Sequence, residues 1–309
     1  MSRHLLTDIV VQHLVTDQKT RIKCKDLVQK VSIYKNRLAV QMPEKIYVYV
    51  VSTDDHSGMK YKLYKKILKK IPCSLLVVAS YNLVLCQENK LILLDFEGET
   101  EREWVFEALI KFVKAFGGAP KKEGFLVGLQ NGDAFQVFVD NPFPILLVRQ
   151  SAPIRILDLS LGKRKLAVVD ENSVLNVYDL TTKELLYQEM NTISAAWNTD
   201  MDDLLAYSGG GLLSIRMGNL PPATQRMNGF IVGFKGSKLF FLYNSNMVTM
   251  DVPPTSSLIK YIENKDFKQA YNVACLGLTE QDFKSLGIEA LQNGEFDIAR
   301  KVKNFFIII

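Results

Sequence analysis

The sequence predicts a mainly β chain, a β-propeller of six to seven blades, followed by the start of an α-helical solenoid. Three observations predict it. A two-strand unit recurs six times. The step between copies is close to the length of one propeller blade, roughly 40 to 45 residues. Near residue 254 the composition changes from β-branched to helix-forming.

The first apolar segments, DIVVQHLV and QKTRIKCK, predict a strand pair, which is why the count is six or seven. The repeating unit follows: a short apolar strand, a polar or glycine-containing turn, and a second strand ending near an acidic residue or glycine. Its copies are RLAVQ-MPEK-IYVYVV from Arg37, LVLCQ-ENK-LILLDF from Leu83, FLVGL-QNGD-AFQVFVD from Phe125, LAVVD-ENS-VLNVYDL from Leu166, LLAYS-GGG-LLSIRMG from Leu204 and LFFLY-NSN-MVTMDV from Leu239. The first strands begin near residues 38, 83, 125, 166, 204 and 239, at steps falling from 45 to 35 residues. Apolar segments between the copies, such as LLVVASY and IRILDLS, supply the remaining strands of four-stranded blades.

The turns have a mechanism. Asn131-Gly132 and Gly209-Gly210-Gly211 offer the positive φ that tight hairpins demand, and Asp170-Glu171-Asn172 is turn-forming. Alternation in Leu175, Val177 and Tyr178-Asp179 predicts a half-buried strand, while other strands are apolar on both faces, as in stacked sheets. A helical reading fails because Gly, Pro and Asn interrupt the apolar runs within about ten residues.

The β pattern ends at Val252-Pro253-Pro254-Thr255-Ser256-Ser257, which predicts a domain boundary and a helix entry. Beyond it, LIKYIENKDFKQAYNVACLG and SLGIEALQNGEFDIARKV share a pattern. Ile262 to Phe267 aligns with Leu291 to Phe296 at an offset of 29 residues, near the roughly 34 of a tetratricopeptide-like solenoid. The predicted domains are 1–254, a propeller; 255–303, the first helical hairpins; and 304–309, an irregular truncated end of a chain expected to be a fragment.

Composition excludes a good deal. Hydrophobic residues at 48% against 23% charged make a folded chain, and a net charge of +5, from 38 Lys+Arg and 33 Asp+Glu, is too small to argue for nucleic acid. Cys24, Cys73, Cys86 and Cys275 form no CxxC pair, which predicts buried thiols in a reducing compartment. The start lacks a secretory signal and no run reaches about 18 apolar residues, so a cytosolic, soluble chain is expected.

The search for chemistry finds no catalytic, metal or cofactor site. All three histidines, His4, His13 and His56, lie in the first fifth of the chain. Asp200, Asp202 and Asp203 read as a solvated hairpin, since the bidentate Glu and loop Gly of a calcium loop are missing. Ser208 to Gly211 and Gly117-Gly118-Ala119-Pro120 lack the Lys-Ser/Thr pair of a phosphate cradle. Trp104 and Trp197 are predicted in blade cores, and Phe267, Ala270, Tyr271 and Ala274 inside a helix pair. The strongest charge feature is the run 60–70, with Lys60, Lys62, Lys65, Lys66, Lys69 and Lys70. It reads first as a blade-edge strand whose lysines deter pairing, and otherwise as a surface for an acidic partner or an anionic lipid.

Taken in order, TDIVVQHLVTDQKTRIKCKDLVQKVSIYKNRLAVQMPEKIYVY, EREW, GGAPKKEGFLVGLQNG, KLAVVDEN, AAWNTD, SGGG and KYIENKDFKQAYNVACLGLT closely resemble the intraflagellar transport protein 122 family, over residues 7 to about 301. The resemblance implies the second of two WD-repeat propellers and the first turn of a solenoid. It further implies a scaffold subunit of intraflagellar transport complex A, in retrograde transport, cilium assembly and delivery of membrane-protein cargo. Its implied partners are other complex A subunits and ciliary cargo, with peripheral membrane contact and no nucleic acid. Its implied location is the cilium, axoneme and base, and the cytoplasm. The blades depart from the consensus in lacking full GH and WD dipeptides; Tyr178-Asp179 comes nearest. A coat-type vesicle-trafficking scaffold shares this architecture, and a propeller enzyme working in its central channel is the alternative from another class.

Overall fold

A computed structural model of the chain describes residues 7–13, 16, 18–52, 59–218, 220–244, 246–252, 255–275 and 279–307. Strands β1 (Asp8–Gln12) and β2 (Lys19–Lys23) form the expected N-terminal pair, an antiparallel two-stranded sheet of their own. Six further sheets follow in chain order and make six blades. The first contains β3 (Lys30–Tyr34), β4 (Arg37–Met42), β5 (Lys45–Val51) and β6 (Tyr61–Ile67). The second contains β7 (Leu75–Val78), β8 (Leu83–Gln87), β9 (Lys90–Leu94) and β10 (Thr100–Val105). The third contains β11 (Ile110–Gly117), β12 (Gly124–Leu129), β13 (Asp133–Phe138) and β14 (Asn141–Arg149). The fourth contains β15 (Ile154–Leu159), β16 (Lys165–Asp170), β17 (Leu175–Asp179) and β18 (Leu185–Glu189). The fifth contains β19 (Ser194–Trp197), β20 (Leu204–Gly209), β21 (Leu212–Met217) and β22 (Ala223–Arg226). Among the described residues the sixth has three strands, β23 (Phe230–Lys235), β24 (Lys238–Tyr243) and β25 (Asn246–Asp251).

The six hairpins found in the sequence are the second and third strands of these sheets. They stood out because both faces of the second strand are buried: β12 is buried at every residue, and β8 and β16 nearly so. The acidic residue that closes the third strand has a local purpose. Asp179 Oδ1 accepts the Thr181 N–H at 2.7 Å and the Thr182 N–H at 3.2 Å, and Asp95 Oδ1 accepts those of Glu97 and Glu99 at 3.0 and 2.8 Å. Each carboxylate thus organises the turn into the outer strand. At the Asn131-Gly132 turn the left-handed residue is Gly132, φ +90°. At Asp170-Glu171-Asn172 it is the next residue, Ser173, φ +61°, while Asp170 Oδ1 accepts the Val174 N–H at 2.9 Å.

Two compact units make up the chain: Met1–Asp158 with Val168–Gln188, and Leu159–Ala167 with Glu189–Ile309. Within the first, Ala39, Ile46 and Val48 share a core with Val78, Leu83 and Leu85, and Val84, Leu91 and Trp104 share another with Phe125 and Val127. Each valine, leucine, isoleucine or phenylalanine among them stabilises by about 1.5–3 kcal/mol when fully buried. Within the second unit, Ala206, Leu213, Ile231, Phe234 and Leu239 share one core with helical residues Leu258, Tyr261, Phe267, Ala270, Phe283 and Leu286.

Those helices are α1 (Thr255–Glu263), α2 (Phe267–Ala274), α3 (Glu280–Gln292) and α4 (Phe296–Ile307), the first beginning directly after Pro253-Pro254, which lie outside the described residues. The 29-residue offset holds at the level of single hydrogen bonds. After α1, the N–H groups of Asn264, Lys265 and Asp266 donate to the carbonyls of Lys260, Ile262 and Tyr261; after α3, those of Asn293, Gly294 and Glu295 donate to Glu289, Leu291 and Ala290. Lys265 and Gly294 are the left-handed residues of the two turns, φ +58° and +81°. Of the irregular end expected at 304–309, residues 304–307 are a correction, since α4 continues to Ile307, and residues 308–309 lie outside the described residues. Once a helix has formed, each further residue adds a hydrogen bond, which outweighs the weak helix preference of aromatic and β-branched residues. Asp266 caps α2 by accepting the Gln269 N–H at 3.2 Å. Asp266→Ala is expected to cost about 1 kcal/mol, read as a lower urea midpoint at unchanged slope.

Candidate functional site

The middle of the basic run forms β6, the outer strand of the first blade, positioned by its ladder with β5; Lys60 precedes the strand, and Lys69 and Lys70 follow it. The register runs Ile46 with Ile67, Tyr47 with Lys66 and Val48 with Lys65, then shifts, so that Tyr49 faces Leu63 and Val50 faces Lys62. Tyr64 is the extra residue of this bulge. Its insertion changes which side chains share a face. Lys66 falls with Leu63 and Tyr61 on the face of Tyr47, whereas Lys62 and Lys65 fall together on the opposite face with Ile67.

The structure therefore divides the six lysines. Lys60, Lys62, Lys66, Lys69 and Lys70 are exposed and Lys65 half-buried. Lys66 lies over the Tyr47 ring, 5.8 Å from its centroid. Lys65 is ion-paired with Glu97, whose hydrogen bond raises the ammonium's pKa, and Lys70 pairs with Glu44 at 3.2 Å. Lys65 and Lys70 are thus partly neutralised at the surface, and the strand presents cations on both faces of an outer edge.

A polar cluster behind this strand had no signal in the sequence. The Arg37 guanidinium lies over the Tyr64 ring, 4.4 Å from its centroid, and its Nε donates to the Ser80 carbonyl at 3.2 Å. Glu123, fully buried, accepts the Ser80 N–H at 3.3 Å. In the sequence Glu123 follows Pro120-Lys121-Lys122 and reads as a solvated loop residue; its partner Ser80 comes from a segment 43 residues away.

The other candidates resolve individually. Asp202 accepts the Gly162 N–H at 2.6 Å, Asp203 is paired with Lys165, and the Asp200 N–H is held by Asn198 Oδ1 at 2.8 Å. Among the described residues no group of three His, Cys, Asp or Glu side chains is arranged to hold a metal. His13 Nδ1 accepts the Thr16 N–H at 3.1 Å; His4 and His56 lie outside the described residues. Trp104 and Trp197 are buried as predicted, and Ser208, ahead of the glycine turn, hydrogen-bonds Ser194 and the Gly229 carbonyl inside the sheet.

Burial separates the four cysteines. Cys24 and Cys86 are buried and Cys73 half-buried, but Cys275 is exposed, a departure from the expected set of buried thiols that arises because it sits at the C-cap of α2. Burial pushes the Cys86 thiol up to about 12 and raises those of Cys24 and Cys73. A group held protonated in this way contributes stability below the unfolded thiol value near 9, and that contribution fades as pH rises from there towards 12. Iodoacetamide at pH 8 is accordingly expected to label Cys275 first and Cys86 only on unfolding, as read by peptide mass mapping.

Burial also raises Tyr49, Tyr61, Tyr207 and Tyr261. Tyr49 lies in β5, Tyr61 in β6, Tyr207 in β20 and Tyr261 in α1. Among the described residues, no helix is long and apolar enough to cross a membrane.

Comparison with known proteins agrees with this architecture. The family described as IFT122 second beta-propeller matches residues 1–247. Intraflagellar transport protein 122 homolog of Xenopus tropicalis is 50% identical over 299 residues, which cover 97% of this chain and 25% of that protein. The homologs of Homo sapiens and Danio rerio are 49% and 47% identical over the same share of this chain, covering 24% and 25% of theirs. The chain spans about a quarter of the length of these relatives. With six blades in sequence and a family match across nearly all of them, the chain belongs to the IFT122 second beta-propeller family.

Proposed function

We propose that the chain works in intraflagellar transport as a non-catalytic scaffold segment of complex A, supporting retrograde transport, cilium assembly and delivery of membrane-protein cargo at the ciliary base and axoneme. The observation that carries this reading is the family match over residues 1–247. In it, residues 1–254 are the second propeller, and residues 255–303 begin a solenoid whose two hairpins repeat at 29 residues. The shifted titratable groups support a binding role over a catalytic one. The buried thiols and phenols are shifted chiefly by burial and are distributed over several cores, whereas a catalytic site gathers such groups in one cleft.

The exposed lysines of the β6 edge are the proposed contact for an acidic surface on another complex A subunit. Their chemistry makes the contact salt-dependent. The test is co-expression of this chain with complex A subunits, followed by size-exclusion chromatography at 50 and 500 mM salt. Co-elution that is weakened by salt and by the triple change K62E, K66E and K69E supports the reading. Co-elution indifferent to all three lysines removes β6 from it, and failure to co-elute with any subunit removes the scaffold role. Binding to vesicles containing phosphatidylserine, without co-elution, would make the edge a lipid contact instead.

A further inference from the structure

Among the described residues the sixth blade ends on an open edge. Five sheets carry a fourth, outer strand, and among the described residues nothing pairs with the outer side of β25. The orientation of its backbone follows from one bond: the Val252 N–H donates to the Ser237 carbonyl at 2.7 Å. Hydrogen-bonded pairs alternate along an antiparallel ladder. In the observed register Met250, Val248 and Asn246 therefore direct their backbone groups to β24, and Asp251, Thr249 and Met247 direct theirs outward.

This edge lacks the usual protection. Outer strand β6 carries lysines, β10 (TEREWV) carries charges throughout and β14 (NPFPILLVR) carries two prolines, devices that blunt pairing with other chains. Strand β25, NMVTMD, has neither proline nor lysine, and its one charge, Asp251, sits opposite Lys238. The flanking surface is shaped as well. Val248, Met250 and Val252 share a face and line two clefts of ≈ 190 and ≈ 710 Å³, the smaller walled by Ile215 and Met217 of β21. Lys260 lies at the smaller cleft and Arg226 at the larger, and among the described residues neither is ion-paired with a carboxylate.

We propose that β25 is a strand-addition site. It takes an extended segment of a partner protein, apolar at alternate residues and flanked by acidic ones, as the fourth strand of the sixth blade. The backbone groups of Met247, Thr249 and Asp251 supply the ladder, the clefts receive alternate side chains, and Arg226 and Lys260 select the acidic flanks.

The test uses the full 309-residue chain and two synthetic peptides, acetyl-EVTVTVTE-amide and acetyl-KVTVTVTK-amide. Fluorescence polarisation is expected to give at least tenfold tighter binding of the acidic peptide, and hydrogen exchange to show new protection at the amides of Met247, Thr249 and Asp251. Thr249→Pro removes one outward N–H, which an edge strand tolerates, and is expected to weaken binding at least tenfold. The double change R226E and K260E lies outside the strand and is expected to reverse the preference between peptides. Three results overturn the proposal: those amides already protected in the free chain, which means a segment of this chain covers the edge; self-association lost in Thr249→Pro, which makes the occupant a second copy; or no binding of either peptide at millimolar concentration.

Discussion

Phe234→Ala is expected to destabilise the second unit by about 3–5 kcal/mol, the range for deleting a buried phenylalanine. Phe234 is 1% exposed, and its core runs from Leu213 and Leu239 in the sheets to Leu258 and Tyr261 in α1. Its backbone also receives the Thr199 N–H at 3.0 Å, so the residue holds two sheets in register as well as filling the core. Because helices and sheets draw on one core, circular dichroism at 222 nm and near 215 nm should report the same lowered transition. A helical transition that stays at its original temperature while the β signal moves would show that the helices fold independently of the last two blades.

Gly132→Ala is expected to cost about 2–5 kcal/mol, from backbone strain and overpacking together. The backbone there has φ +90°, and an added Cβ would lie 2.1 Å from the Gln150 carbonyl oxygen. That carbonyl belongs to the main chain and cannot swing aside as a side chain can. Gly294→Ala provides the comparison: φ is +81° with no atom within 4 Å of the added Cβ, so backbone strain alone operates, about 1 kcal/mol. Chemical unfolding of both variants separates the two causes. Equal losses would mean that the Gln150 contact relaxes freely.

The parts of this fold that could be read from the sequence are those where burial imposes a pattern. Strands such as FLVGL and LAVVD are buried on both faces and end in polar turns, with Gly132 at the positive φ after the first and Ser173 after the second, so each hairpin was visible. Outer strands were far less so: β22, ATQR, is exposed at all four residues and has no periodicity to detect. For the same reason the strand count of the sixth blade, three among the described residues, was invisible, since an outer strand contributes almost no apolar pattern. The helical hairpins were legible from the Asn-acidic-Phe spacing, and the hydrogen bonds of the two turns explain why that spacing recurs.

The candidate surface was half legible. Six lysines in eleven residues mark an edge strand, but the bulge at Tyr64 that places Lys62 and Lys65 on one face and Lys66 on the other depends on pairing with β5. The burial of Glu123 depends on chain segments more than forty residues apart, since Ser80 is its partner, and no local pattern encodes it.

The central claim, that this chain is a binding platform of complex A, is tested most directly by pull-down of the tagged chain from ciliated-cell lysate, with the triple change K62E, K66E and K69E as the comparison and the bound proteins identified. The account predicts that other complex A subunits are recovered with the native chain and recovered less with the variant. Recovery of no complex A subunit by the natively folded chain would contradict it.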